Sequence, residues 1–367
     1  MDVRTRIAIC HGRDGSDATW AEMMQAVNAA DVVILGEMHD DAIGHRVQRA
    51  VWEDVVDQFP ESALSMEMLD RRKQATVDDY LAELIDRDKF YERIAMTRWR
   101  KISKQFLDWK IGRGKFKQRI MRIGWPDWEH NYQPMIDAAK TAGATVVAAN
   151  TPWLLYSTFG AKNGYDRLDG LTDAQKRLFE RPFEVYGGSY RERFWKVIVG
   201  RPENGTEEET EADTAADADT ETDVAATTGT DTPTSEHDVS LAQEESDDTD
   251  AKEGKTAEAT KTEPEEPAHE GLDDEAVARM YRGQLVMDAT MADSIADALA
   301  SGATKVVHLV GQFHCDFSGG LVQELRHRAP DARILVISLQ PRDEPAWIDE
   351  DKDRADFIAF TRVEEGG

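Results

Sequence analysis

The chain predicts an α/β protein: a mostly parallel central sheet with helices on both faces, a site at the carboxyl ends of the strands, and one long disordered acidic insert. Three observations carry this. Continuous apolar runs rich in Val, Ile, Leu and Ala recur at 32–35, 63–66, 145–149, 304–310 and 333–339, the pattern of strands buried on both faces. Segments of helical period lie between several of them, so the strands are joined by crossovers. Most of the runs lead directly into a polar side chain, at the edge where open parallel sheets bind ligands.

Thr19 to Glu22 spells a capping box at the head of a helix running to about Ala29. That helix feeds the strand Asp31-Val32-Val33-Ile34-Leu35, after which Gly36 permits a sharp exit that lifts Glu37 and His39 over the sheet's edge. From Asp40 to Phe59, Ile43, Val47, Val51, Val55 and Phe59 recur at four-residue steps, an amphipathic helix that Pro60 ends. The strand Ala63–Met66 finishes on Glu67. From Arg71 to Trp125 the pattern is helical, with Trp99, Ile102, Phe106 and Trp109 on one face. The ten cations between Arg98 and Arg122 are either a solvated face over an aromatic stripe or an anion-binding surface. A helix from Glu129 to Ala142, closed by Gly143, precedes the strand Thr145–Ala149, which ends on Asn150. Residues 151–200 read as short helices and loops carrying Trp153, Tyr156, Phe159, Phe183, Tyr186, Tyr190, Phe194 and Trp195, a lid, a pocket wall or ordinary packing.

The composition then breaks. From 203 to 267 the chain is Asp, Glu, Thr, Ala and Ser with almost no large apolar residue, too little to offset the entropy of ordering. Residues 1–200 and 273–343 therefore form one discontinuous domain, 201–272 a disordered acidic insert, and 344–367 a loose acidic tail. The second half opens with a long helix from Asp273 to Ala300 bearing Gln284, Met287, Asp288, Met291 and Ala292. The strand Thr304–Val310 runs into Gly311-Gln312-Phe313-His314, and Arg333–Leu339 ends at Gln340 before Pro341.

Residues 201–270 hold 24 acidic and 4 basic side chains and so carry −20 of the formal −28, leaving −8 on the other 297 residues. That mild charge gives no footing for nucleic acid, which requires clustered cations. Two cysteines, Cys10 and Cys315, make no disulfide framework. No segment has the length and apolarity of a membrane span, and Met1–Cys10 carries neither a secretory signal nor a lipoprotein cleavage site, which predicts a cytoplasmic protein.

The strand ends collect Glu37, His39, Glu67, Asn150 and His314. Two imidazoles and two carboxylates suit a divalent zinc, manganese or iron ion, with Glu37, His39, Glu67 and His314 as the ligand set. A glutamate of that set, Glu37 or Glu67, could act as general base in a metal-dependent hydrolase cutting a peptide or ester bond. His45 either supports this group or lies on the surface, and Cys315 reads as a small buried thiol.

Gly36-Glu37-Met38-His39-Asp40-Asp41 with His45, Ser65-Met66-Glu67-Met68, Trp128, Tyr132-Gln133-Pro134, Ala148-Ala149-Asn150-Thr151-Pro152, Gln284 to Ala292 and Gly311-Gln312-Phe313-His314 follow one another in an order seen elsewhere. Over about residues 22–160 and 273–340 the chain resembles the ChaN-like haem-binding uptake family. That family lies within the wider Tiki superfamily, which also holds TraB-type proteins and erythromycin esterases. The resemblance implies a pocket built from two Gly-x-x-His motifs, Gly36 with His39 and Gly311 with His314, together with Glu37 and Glu67. His45, Tyr132, Asn150, Asp288, Met291 and Gln312 would line it as haem or ligand contacts. Related branches use the framework for metal-dependent hydrolysis, while the ChaN branch binds haem and is commonly made of envelope lipoproteins. Here Trp153 follows Pro152, where the family often has an arginine, and no lipoprotein signal is present.

The expected cofactor is accordingly haem or a divalent metal, and the expected ligand haem, a small molecule or a peptide. Under the haem reading the aromatics of 153–195 and Met287 or Met291 wall a slot, cations of 98–122 meet the porphyrin carboxylates, and a tyrosine or histidine ligates iron. A homodimer and a basic partner for the acidic insert are further expectations.

Overall fold

Apolar β-branched runs become strands because their side chains can be buried on both sheet faces at once. In the computed structural model, which describes residues 2–94, 125, 127–152, 156–157, 161–200 and 273–362, these are β1 (Ala8–His11), β2 (Asp17–Ala18), β3 (Val32–Glu37), β4 (Ala63–Asp70), β5 (Thr145–Asn150), β6 (Val306–Gly311), β7 (Ile334–Gln340) and β8 (Phe357–Phe360). They form one sheet in the order β2-β1-β8-β7-β3-β6-β4-β5. From β8 to β5 every pairing is parallel, and only β1 and β2 add antiparallel neighbours at one edge.

Helices cover both faces. On one side α1 (Trp20–Ala29) and α2 (Ala42–Gln58), with α3 (Gln74–Leu81), α4 (Arg87–Ile94), α5 (Trp128–Asn131) and α6 (Gln133–Ala142), follow the chain's first half. Val47, Val51, Trp52, Met135 and Ile136 pack there on Val33, Leu35, Leu64, Met66 and Leu309. After α7 (Gly188–Val199), the long α8 (Asp274–Ala300) and α9 (Gly320–Arg328) cover the opposite face. Met291, Ala292, Ile295, Leu321 and Leu325 meet Val32, Ile34, Ala63, Val306 and Val310 there. The caps follow the sequence: Thr19 and Glu22 make the capping box of α1, Asp41 caps α2, and Gly143 ends α6 at φ 71°.

Two expectations are corrected. The tail from 344 is not loose as far as Arg362: β8 lies between β7 and β1, with Ile337 opposite Phe357 and Ala8 opposite Phe360. Its four apolar residues are hidden in an acidic segment, and a segment average conceals them. Gly36 is also no turn, because β3 continues through Glu37 and Gly36 keeps a negative φ. The stretch with Trp99 to Trp109 and the cations of 98–122, Trp153, Phe159 and the acidic insert 201–272 lie outside the described residues. No helix among the described residues is long and apolar enough to cross a membrane.

Candidate functional site

β3, β6, β4 and β5 are adjacent in the sheet, so the carboxyl ends of β3, β6 and β5 bring Glu37, Gly311 and Asn150 beside Glu67. Glu67 is not the end of its strand as expected but lies within β4, in the irregular stretch before Asp70. Two hydrogen-bonded groups meet at that edge, one from each face.

The first group is centred on Glu37, which is fully buried and accepts from four side chains. The Tyr132 hydroxyl donates to Oε1 at 2.6 Å, and His39 Nδ1 lies 2.8 Å from the same oxygen. Gln48 Nε2 donates to Oε2 at 2.6 Å, and His45 Nδ1 lies 3.3 Å from it. His45 Nε2 reaches back 3.3 Å to the His39 carbonyl oxygen, so both of its ring nitrogens act as donors. Burial alone would raise Glu37, but the bonds and charges of His39 and His45 outweigh it and hold the carboxyl at about 2. Burial works against charging the two imidazoles as well, yet Glu37 pulls both above their ordinary value.

The second group is centred on His314. Its Nδ1 lies 2.5 Å from Asp288 Oδ1, and its Nε2 lies 3.5 Å from Glu67 Oε1. The Tyr190 hydroxyl donates to Asp288 Oδ2 at 2.7 Å, and Gln284 Nε2 stands 3.1 Å from His314 Nδ1. Against the cost of burial, Asp288 and Glu67 raise His314 to about 10, so it is an imidazolium at neutral pH. Glu67 is held at about 2, its burial penalty outweighed chiefly by His314. Each group therefore repeats one relay, tyrosine to carboxylate to imidazole. Three carboxylates, Glu37, Glu67 and Asp288, face the three imidazoles of His39, His45 and His314, and burial raises Asp288 above its ordinary value although His314 pulls it down.

The motif glycines join the groups by close approach. A Cβ on Gly36 would stand 2.6 Å from Cys315 Sγ, and one on Gly311 would stand 3.0 Å from His39 Cε1. Each glycine thus makes room for a residue of the other motif's loop. The β4–β6 ladder stops at Met66 and Leu309, and β4 bulges between Met66 and Asp70. Freed from the ladder, Gly311 N donates to Glu67 Oε2 at 2.6 Å.

The remaining expected residues fall around this core. Asn150 Nδ2 donates to the Glu67 carbonyl oxygen at 3.1 Å and supports the bulge from behind. Gln312 sits on the rim, where its Nε2 meets Met38 Sδ at 2.9 Å. Met291 is fully buried under the sheet with Ala149, Val310 and Cys315, so it is core and not a wall. The aromatics Tyr186, Tyr190, Phe194 and Trp195 likewise pack with Tyr281 and Leu285 into a core cluster rather than a lid. His45 is buried, not a surface residue. Among the described residues no group of three or more His, Cys, Asp or Glu is arranged to hold a metal ion, and Glu37 and Asp288 engage the His39 and His314 imidazoles. Sequence reasoning named Tyr190 only as one aromatic of a lid, pocket wall or packing, not as a partner of Asp288, and it missed Gln48 and Trp125, whose ring meets His39 edge-on at 4.6 Å. Their partners lie in other segments, and no local spacing marks them.

No curated protein matches the chain. A solved structure described as cofacial heme binding to ChaN of Campylobacter jejuni has a similar fold, with a TM-score of 0.54 at 14% identity over 98% of each chain. A family model described as haem-binding uptake, Tiki superfamily, ChaN, matches residues 23–325. With that match spanning both Gly-x-x-His motifs and the four adjacent strands β3, β6, β4 and β5, the chain belongs to the ChaN family of haem-binding uptake proteins.

Proposed function

We propose that the chain binds haem at the carboxyl edge of β3 and β6, between its two Gly-x-x-His motifs, with His39 as the iron ligand. The observation that carries this reading is the state of the His39 ring. Its Nδ1 is engaged by Glu37, while Nε2 has no hydrogen-bond partner among the described residues, and its side chain is 19% exposed. A carboxylate on one ring nitrogen fixes the tautomer and strengthens the other nitrogen as a donor to a metal.

The other candidates are occupied. His45 and His314 are buried, with both ring nitrogens facing protein groups. All eight tyrosines lie among the described residues and none is exposed. The two at the site, Tyr132 and Tyr190, donate hydrogen bonds from their hydroxyls to carboxylates. Trp125 on the His39 ring and the exposed Met38 beside it supply an apolar rim suited to a porphyrin face. When bound, haem would add a ligand-accepting iron, and the protein's part is to hold and orient the imidazole. The protein related in fold is described as binding heme cofacially, which agrees with this class of ligand.

Titration with haemin should give a saturable Soret shift, lost in His39→Ala and kept in His45→Gln. An unchanged Soret titration in His39→Ala would overturn the assignment of the ligand.

A further inference from the structure

Both motifs carry an aspartate two residues past the histidine: Asp41 after His39 and Asp316 after His314. The same C-terminal segment grips both. The Thr361 hydroxyl donates to Asp41 Oδ2, and both residues are buried. Arg354 Nη1 bonds Asp316 Oδ2 at 2.7 Å, and the Arg354 carbonyl oxygen accepts from Phe317 N at 2.7 Å. Gln340 Nε2 donates to Gln312 Oε1 at 2.6 Å.

The segment is itself anchored. β8 is paired on both sides, and the buried Asp351 bridges Arg342 and Arg354. It lies beyond residues 23–325, the span matched by the family model.

We propose that residues 340–361 are a strap that positions the two histidine loops, with Thr361 and Arg354 as its positioning residues. Past the strand ends the loops lose their ladder partners, since β3 pairs with β6 only to Glu37 and Gly311 and with β7 only to Gly36 and Ser338. The loop after His314 also runs through two successive left-handed residues, Phe317 at φ 55° and Ser318 at φ 53°, a conformation that non-glycine residues seldom hold without outside contacts. Arg354 supplies those contacts at both Asp316 and Phe317. A ligand-holding imidazole needs placement to within about 0.5 Å, and the strap meets that need at one fixed residue past each histidine.

The consequence for haem rests on the reading of His39 above, but the tethering is made by protein groups alone, so the test reads both. Thr361→Val removes the hydroxyl at constant volume, Arg354→Met removes the ion pair, and Thr361→Ser restores the donor. Amide hydrogen exchange should rise about tenfold or more at 38–45 in Thr361→Val and at 312–318 in Arg354→Met, as expected for loss of a hydrogen bond to a charged group. Thr361→Ser should match the wild type, and haemin should dissociate about tenfold faster from Thr361→Val. Unchanged exchange at both loops in folded variants overturns the strap, whatever haemin does. Faster exchange in a protein whose wild type takes up no haemin supports the strap and overturns the haem reading instead. Thr361→Val, the milder change, decides the matter where Arg354→Met does not fold.

Discussion

Gly311 lies against the His39 imidazole: a Cβ there would stand 3.0 Å from Cε1 and 3.2 Å from Nε2. Gly311→Ala is therefore expected to push the ring off its place while the sheet survives. Overpacking of this kind costs about 1–3 kcal/mol, and haemin affinity should fall about tenfold or more as the proposed ligand, His39, is displaced. Urea unfolding and haemin titration of the same variant check both halves. Gly36→Ala should be worse for folding, because its Cβ would meet the buried Cys315 Sγ at 2.6 Å and the Gln312 backbone at 3.2 Å.

Tyr132 and Glu37 come from segments 95 residues apart and share a 2.6 Å hydrogen bond in the interior. Tyr132→Phe leaves the carboxylate one donor short and should cost about 1.5–3 kcal/mol in urea unfolding. With one competitor gone, Glu37 also draws harder on His39, so the reduction potential of bound haem should drop. A potential equal to the wild type's would contradict the relay.

Gly320 faces the second relay from α9. A Cβ there would collide with Asp288 Oδ2 and stand 2.6 Å from Tyr190 Cε1. Gly320→Ala should destabilise the fold more than Tyr190→Phe does, since the former displaces both partners and the latter removes one bond. Thermal melts of the two variants compare them directly.

The site also sets the pH profile of stability. His314, at about 10 in the fold against 6.5 ordinarily, contributes stability that is complete below pH 6.5 and lost as pH rises toward 10. Glu37 and Glu67, near 2 against 4.5, contribute above pH 4.5 and lose that contribution as pH falls toward 2. Buried His308, pushed down to about 3 by desolvation, withdraws stability as pH falls below 6.5. Melting temperature should therefore peak near pH 6.5 and decline on both sides. His314→Gln should flatten the alkaline limb, and a limb of undiminished slope would refute the assignment.

By itself the sequence determined the parallel strands that carry the site and the two Gly-x-x-His motifs at their ends. Burial on both faces demands continuous apolar β-branched runs such as Val32–Leu35, and the chemistry of an open parallel sheet gathers at the ends of such runs. Local periodicity records both. Tertiary structure alone decided which carboxylate serves which imidazole, because Asp288 and Tyr190 reach His314 from α8 and α7. It turned Gly36 from a supposed bend into a contact with Cys315, made Met291 core, and drew the acidic tail into the sheet as β8. A side-chain hydrogen bond between distant segments has no period along the chain. It exists only once two faces of the sheet have closed on a common edge, as they do where Gly311 separates His39 from Glu67.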